Sequence, residues 1–179
     1  MIRIFLLLIF NIGINFQTIA QWNQVQKSSI TFKIKNAGIW VKGSFSLASV
    51  KVNIDEANPT QSAFSGIVES KSIQTGIKLR DNHLRDKESF FDVGKYPTLS
   101  MKSVSVSINN PGVYTVKWSL TIKGITRRFS SEVQTLREGN ELTIFTLFTI
   151  NRNDWNIGGQ SFTLGDFVSI KLSTSVLRQ

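Results

Sequence analysis

The sequence predicts an all-β fold, an antiparallel sandwich or a closed barrel of about eight strands. Three observations carry this prediction. Apolar and polar residues alternate with period two in several segments, turn-forming residues recur between them, and a single short stretch has helical spacing.

Ile30, Phe32 and Ile34 alternate with Thr31, Lys33 and Lys35, which gives an extended segment one dry and one wet face. Tyr114, Val116, Trp118, Leu120 and Ile122 alternate with Thr115, Lys117, Ser119, Thr121 and Lys123, and Val168, Ile170, Leu172 and Val176 repeat the pattern near the end. Less regular strand candidates occupy residues 39–47, 50–54, 64–73, 98–108, 127–136 and 141–150. Asn36-Ala37-Gly38, Ala57-Asn58-Pro59, Asn109-Asn110-Pro111-Gly112, Lys123-Gly124, Glu138-Gly139-Asn140 and Gly158-Gly159 supply the turns. Residues 77–91 break the rule: Ile77, Leu84 and Phe91 recur every seven residues among charged neighbours, the stripe of a short amphipathic helix. Pro97 disfavours helix at Tyr96 and ends the segment before it.

Residues 1–20 are an address. Met1 and Arg3 precede an apolar run from Ile4 to Phe10, and Thr18-Ile19-Ala20 precedes Gln21, the layout of a secretory signal peptide cleaved near Ala20. The run is too short for a bilayer core of ~30 Å. The folded domain is therefore expected over residues 21–179, in the periplasm or another exported compartment. Losing Arg3 and no acid leaves 20 basic residues against 12 acidic ones, so the basicity belongs to the domain.

The chain has no Cys and one His, which excludes a disulfide scaffold, thiolate metal sites, a cysteine nucleophile and a multi-histidine metal centre. His83 beside Asp81 and Asp86 lacks a nucleophile elbow and reads as a structural hydrogen-bonding residue, so no catalytic residue is assigned. Asn151-Arg152-Asn153-Asp154 has too few anionic oxygens for a calcium loop, and no metal ligand or cofactor is assigned. Export argues against a nucleic-acid partner.

Arg80-Asp81-Asn82-His83-Leu84, Phe90-Phe91-Asp92 and Lys95-Tyr96-Pro97 resemble the central signature of the YceI-like family of exported lipid- or polyisoprenoid-binding proteins. Further matches are Ile30-Thr31-Phe32, Gly43-Ser44-Phe45, the run Leu120–Thr126, and Phe148–Asp154 followed by Leu164-Gly165-Asp166, in the expected order over residues 22–176. Trp155 stands where the family pattern has a smaller aromatic. The resemblance implies an extended, lipocalin-like antiparallel β-barrel, with a helical segment near its opening and an elongated apolar cavity for a long-chain isoprenoid or fatty-acid-like molecule. It implies storage or transport of that lipid without chemical conversion. The alternative is a cell-envelope or stress-related interaction protein with a packed barrel and a basic working surface.

Inward positions are expected at Phe32, Ile34, Val41, Phe45, Ile67, Met101, Val116, Trp118, Leu120, Ile122, Phe145 and Leu147, with Leu84 and Phe91 closing one side from the helix. Arg80 and Arg85 are candidates for head-group contacts, beside the reading of Arg80-Asp81 as a helix-start pair. Residues 144–150 are apolar on both faces, which calls for an outer cover by the helix or by a second subunit in a homodimer. Lys27–Lys51 and Lys95–Arg128 are basic stretches without an acid, and their outward faces suit an anionic membrane surface or serve solubility alone.

Overall fold

The computed structural model describes residues 22–178 apart from Glu56, so the expected signal peptide lies outside the described residues. Nine strands form a single antiparallel sheet: β1 (Trp22–Asn36), β2 (Ile39–Phe45), β3 (Leu47–Asn53), β4 (Ala63–Glu69), β5 (Thr98–Asn110), β6 (Val113–Ile122), β7 (Ile125–Glu138), β8 (Glu141–Asn151) and β9 (Leu164–Arg178). Their order is β2-β1-β9-β8-β7-β6-β5-β4-β3, a meander in which the last strand returns to pair with the first. The sheet curls until the bridge Trp22↔Ile54 joins its two sides at the base. The result is the expected barrel-like shell, with nine strands in place of about eight.

Period-two alternation builds this shell because each strand presents its apolar set inward. On β6, Tyr114, Val116, Trp118, Leu120 and Ile122 are all buried. The base is packed solid by Trp22, Val106, Tyr114, Val116, Val133, Leu142 and Val176. A second cluster toward the other end includes Val68, Leu99, Leu120, Ile122, Phe148, Ile150 and Trp155.

The one α-helix among the described residues, α1, spans Lys78–Asp86, shorter than the 77–91 stripe. Beyond it the chain turns, with Phe91 N–H donating to Leu84 C=O at 3.0 Å and Tyr96 N–H to Asp92 C=O at 2.9 Å. The heptad spacing thus joins a helical residue, Leu84, to a turn residue, Phe91. Ile77, the third member of the stripe, is the N-cap residue and 53% exposed, so it takes no part in closing the barrel.

The β1–β2 hairpin turns through Ala37 (φ +48°) and Gly38 (φ +79°), the two consecutive positive values of a type I′ turn. Ala37 is exposed and pays the left-handed penalty of an L side chain. Ala37→Asn is expected to raise unfolding free energy by about 0.5–1 kcal/mol in urea melts, since Asn tolerates this geometry.

Candidate functional site

A cavity of about 260 Å³ lies in the half of the barrel away from the packed base, on a floor that includes Trp118, Val133 and Ile144. Strand register explains its wall. Ile34, Phe32 and Ile30 of β1 stand opposite Val41, Gly43 and Phe45 of β2 on one side and Val168, Ile170 and Leu172 of β9 on the other. Those three β9 residues in turn face Ile150, Phe148 and Thr146 of β8. Gly43 is required here by close approach, because a Cβ would sit 2.3 Å from Phe32 Cζ and 2.7 Å from Gln74 C=O. Its absence lets the Phe32 ring lie across β2, 5.6 Å from Phe45.

The cap over the cavity is made of α1, the turns after it, and residues 152–163. Phe91 meets Phe45 edge-on at 5.5 Å, which fastens the cap to β2. Thr75 organises the front of α1: its N–H donates to Asp81 Oδ1 at 2.8 Å, its hydroxyl also donates to Asp81, and Arg80 donates to Thr75 Oγ1 at 2.7 Å and to Thr75 C=O at 3.0 Å. Arg80 and Asp81 therefore meet through Thr75, and Ile77, not Asp81, is the N-cap residue. Lys123 Nζ donates to Glu88 C=O at 2.7 Å and Asn156 C=O at 3.2 Å, tying the β6–β7 turn to both halves of the cap.

Arg152 is the strongest rivet. It is 2% exposed, and its five N–H groups meet five acceptors: Gly165 C=O at 3.0 Å, Ile157 C=O and Gly159 C=O at 2.7 Å, Leu164 C=O at 3.2 Å and Asp166 Oδ1 at 3.1 Å. The chain from 157 to 166 is wrapped around one guanidinium. Gly158 lies inside this wrap at φ +76°, where a Cβ would come within 2.8 Å of Leu164 and 3.3 Å of Arg152. Residues 151–154, considered above as a metal loop, thus carry a function that the motif does not name. The signal was present, because Arg152 continues the inward phase of Phe148 and Ile150, a charged residue on the dry face.

Of the residues expected to face inward, Phe32, Ile34, Val41, Phe45, Leu84, Phe91, Met101, Trp118, Leu120 and Ile122 line the cavity. Four do not. Val116 points inward but is wholly buried in the base, below the cavity. Ile67 is 41% exposed, because Phe64, Gly66 and Val68 hold the inward phase of β4 and the missing side chain at Gly66 obscured it. Phe145 and Leu147 lie on the outer face of β8, with Leu147 57% exposed and the Lys171 ammonium 5.2 Å from the Phe145 ring. The inward set is Ile144, Thr146, Phe148 and Ile150.

Thr146 is a buried hydroxyl on the dry face, satisfied by donating to Glu132 C=O at 2.6 Å and by sharing a bond with Ser131 Oγ at 2.9 Å. Trp118 Nε1 donates to the same Ser131 Oγ at 2.8 Å. The helix does not cover the outer face of β8; its Leu84 looks into the cavity. Of the two arginines, Arg80 borders the cavity, while Arg85 is held by Asn82 and stands away from it. His83 is exposed, and its bond runs from Lys87 N–H to its own backbone C=O at 3.2 Å, not through the imidazole. Among the described residues no group of three or more His, Asp and Glu is placed to hold a metal ion.

The profile of the YceI-like domain matches residues 22–176. A UPF0312 protein of Yersinia enterocolitica is 36% identical over 117 residues, which is 65% of this chain and 60% of that protein. UPF0312 proteins of Yersinia pestis are 33% identical over the same length, so the match spans about 60% of these curated relatives. Among solved structures, BcnA of Burkholderia cenocepacia superposes with a TM-score of 0.79 at 23% identity, covering 85% of this chain and 99% of that one. A polyisoprenoid binding domain from Saccharophagus degradans superposes at 0.66 and 13% identity, covering 90% and 99%. At these identities the superpositions establish a shared fold.

Proposed function

Since the chain belongs to the YceI-like domain family, we propose that it is a non-catalytic exported carrier that holds a long-chain isoprenoid or fatty-acid-like lipid for storage or transport. The observation that carries this reading is the cavity: about 260 Å³ of space behind a wall that is almost wholly hydrocarbon, in a shell whose base is otherwise packed. Ligand pockets commonly measure ~300–1,000 Å³, so a space of this size suits one slim chain. The likeness in fold to a polyisoprenoid binding domain supports the same ligand class.

The chain would lie against Phe32, Ile34, Phe45, Met101, Leu120 and Ile170, under Leu84 and Phe91, with the polar end toward Arg80. Each Å² of apolar ligand surface removed from water contributes roughly 25 cal/mol, so a chain burying a few hundred Å² gains several kcal/mol before association costs. The basic strand faces suit a carrier that visits anionic membranes, since Lys27, Lys33, Lys35, Lys42 and Lys51 are all exposed.

Native mass spectrometry of the mature chain purified from a bacterial envelope tests the reading. The expected result is a mass increment of one long-chain lipid per protein, released by organic solvent. A protein that arrives empty and takes up neither isoprenoid alcohols nor fatty acids would leave the packed-barrel interaction protein as the better account.

A further inference from the structure

At the cap end the molecule exposes apolar side chains that a barrel of this size has no structural need to show. Ile39 is 71% exposed, Trp40 51%, Phe162 111% and Phe167 66%. They belong to one region. Ile39 and Trp40 directly follow the β1–β2 turn, and Ala37 N–H donates to Thr163 C=O at 2.8 Å, which holds the Phe162 loop against that turn. Phe167 is on the outer face of β9, the strand that pairs with β1.

The charge around this tip is predominantly positive. Lys33 and Lys35 place their ammonium groups 5.1 and 5.2 Å from the Trp40 ring, and Lys42 stands opposite Lys33 across the β1–β2 ladder. The neighbouring acid Asp166 accepts from Arg152 at 3.1 Å and from Asn153 Nδ2 at 2.9 Å, so its charge is engaged on the cap side. Bulky apolar groups ringed by lysines are disfavoured as a contact with a second copy, because each copy would bring the same ammonium groups to the interface. They match a surface that is apolar within and anionic at its rim. Trp and Phe settle at the headgroup boundary while Lys reaches the phosphates.

We propose that this tip docks the protein, cap end first, onto an anionic lipid bilayer. The docking site adjoins the cavity: Asn36, Val41 and Leu164, the immediate neighbours of the tip in sequence or register, all line it. A chain leaving the bilayer at this point emerges beside residues that line the cavity. That last step rests on the carrier reading above; the docking itself does not.

Trp40 makes the test clean. Of the four tryptophans, Trp22, Trp118 and Trp155 are at most 5% exposed and Trp118 borders the cavity, so the part of the quenching by a bromine-labelled lipid that Trp40→Phe abolishes reports on Trp40. The mature chain is mixed with vesicles of phosphatidylcholine containing phosphatidylglycerol, or of phosphatidylcholine alone, at low and high salt. Expected are cosedimentation with the anionic vesicles, weakened by salt, and quenching of tryptophan by brominated lipid in those vesicles only.

The triple variant Ile39→Ser, Trp40→Ser, Phe162→Ser and the double variant Lys33→Glu, Lys35→Glu alter exposed side chains only. Each is expected to keep the wild-type circular dichroism spectrum and to lower vesicle partitioning by at least about tenfold. Partitioning unchanged in both variants overturns the proposal. So does binding without quenching, or a solution dimer that shields Trp40 from an aqueous quencher. Lipid retained by the triple variant while docking is lost supports the two proposals separately, and a protein that docks but never carries lipid sinks only the carrier.

Discussion

Arg152→Ala is expected to lower the unfolding free energy by about 3–5 kcal/mol, the largest effect of any single substitution in the cap. A guanidinium has five N–H groups, and here each has an acceptor, four of them backbone carbonyls of residues 157, 159, 164 and 165. Truncation leaves carbonyls that were arranged around a cation facing one another, and a void where Gly158 packs against the side chain. The ion pair with Asp166 is the smaller part, because Asp166 is 53% exposed and its charge is largely solvated without a partner. Asp166→Asn should therefore cost no more than about 1 kcal/mol.

Arg152→Lys keeps the charge but supplies three donors in a tetrahedral head, and should fall between the two. Urea melts of the three variants give the ranking Ala, Lys, Asn in decreasing damage. If Asp166→Asn proved as harmful as Arg152→Ala, the ion pair and not the carbonyl cage would be the stabilising element. Because residues 157–166 roof the cavity, Arg152→Ala should also shed bound lipid at temperatures well below its melting point.

The same residue shows where the sequence is readable and where it is not. β1, β6 and β9 are legible over residues 30–35, 114–122 and 168–173, where every wet position carries Ser, Thr or Lys against a branched or aromatic dry position. β8 is harder, since both faces carry large apolar residues, Phe145 and Leu147 on one and Ile144, Phe148 and Ile150 on the other; the pairing of Phe148 with Ile170 and of Ile150 with Val168 fixes the second set as the inward one. Thr146 is acceptable on the dry face because Glu132 C=O and Ser131 receive its hydroxyl, a partnership between strands that no local pattern displays. On β4 the gap at Gly66 made Ile67 look like the inward residue. Val116 was correctly phased, but how far up the barrel packing stops and the cavity begins depends on side chains from several strands at once. The all-β domain and its helical interruption follow from alternation and spacing. The carbonyl cage could not, because Arg152 gathers acceptors from a loop with no regular repeat.

The register of β8 makes a second prediction decisive for the carrier reading. Ile170 lines the cavity, facing Phe148 on one side and Phe32 on the other. Ile170→Trp would direct the extra ring volume into space that is otherwise open, so the usual overpacking penalty of ~1–3 kcal/mol is largely avoided and the lipid-free protein should melt at or above the wild-type temperature. The ligand bears the loss instead. Excluding even four methylenes at ~0.8 kcal/mol each removes about 3 kcal/mol of binding, more than a hundredfold in Kd. Copurifying lipid should fall to a trace.

Leu147→Trp is the paired control, because it adds the same ring to the outer face, and should leave the lipid load unchanged. A phase that put Leu147 inside would predict the reverse, loss of lipid from Leu147→Trp. If Ile170→Trp retained a full complement of lipid, the occupant would lie elsewhere than in this cavity, and the wall of Phe32, Phe148 and Ile170 would be reduced to ordinary core.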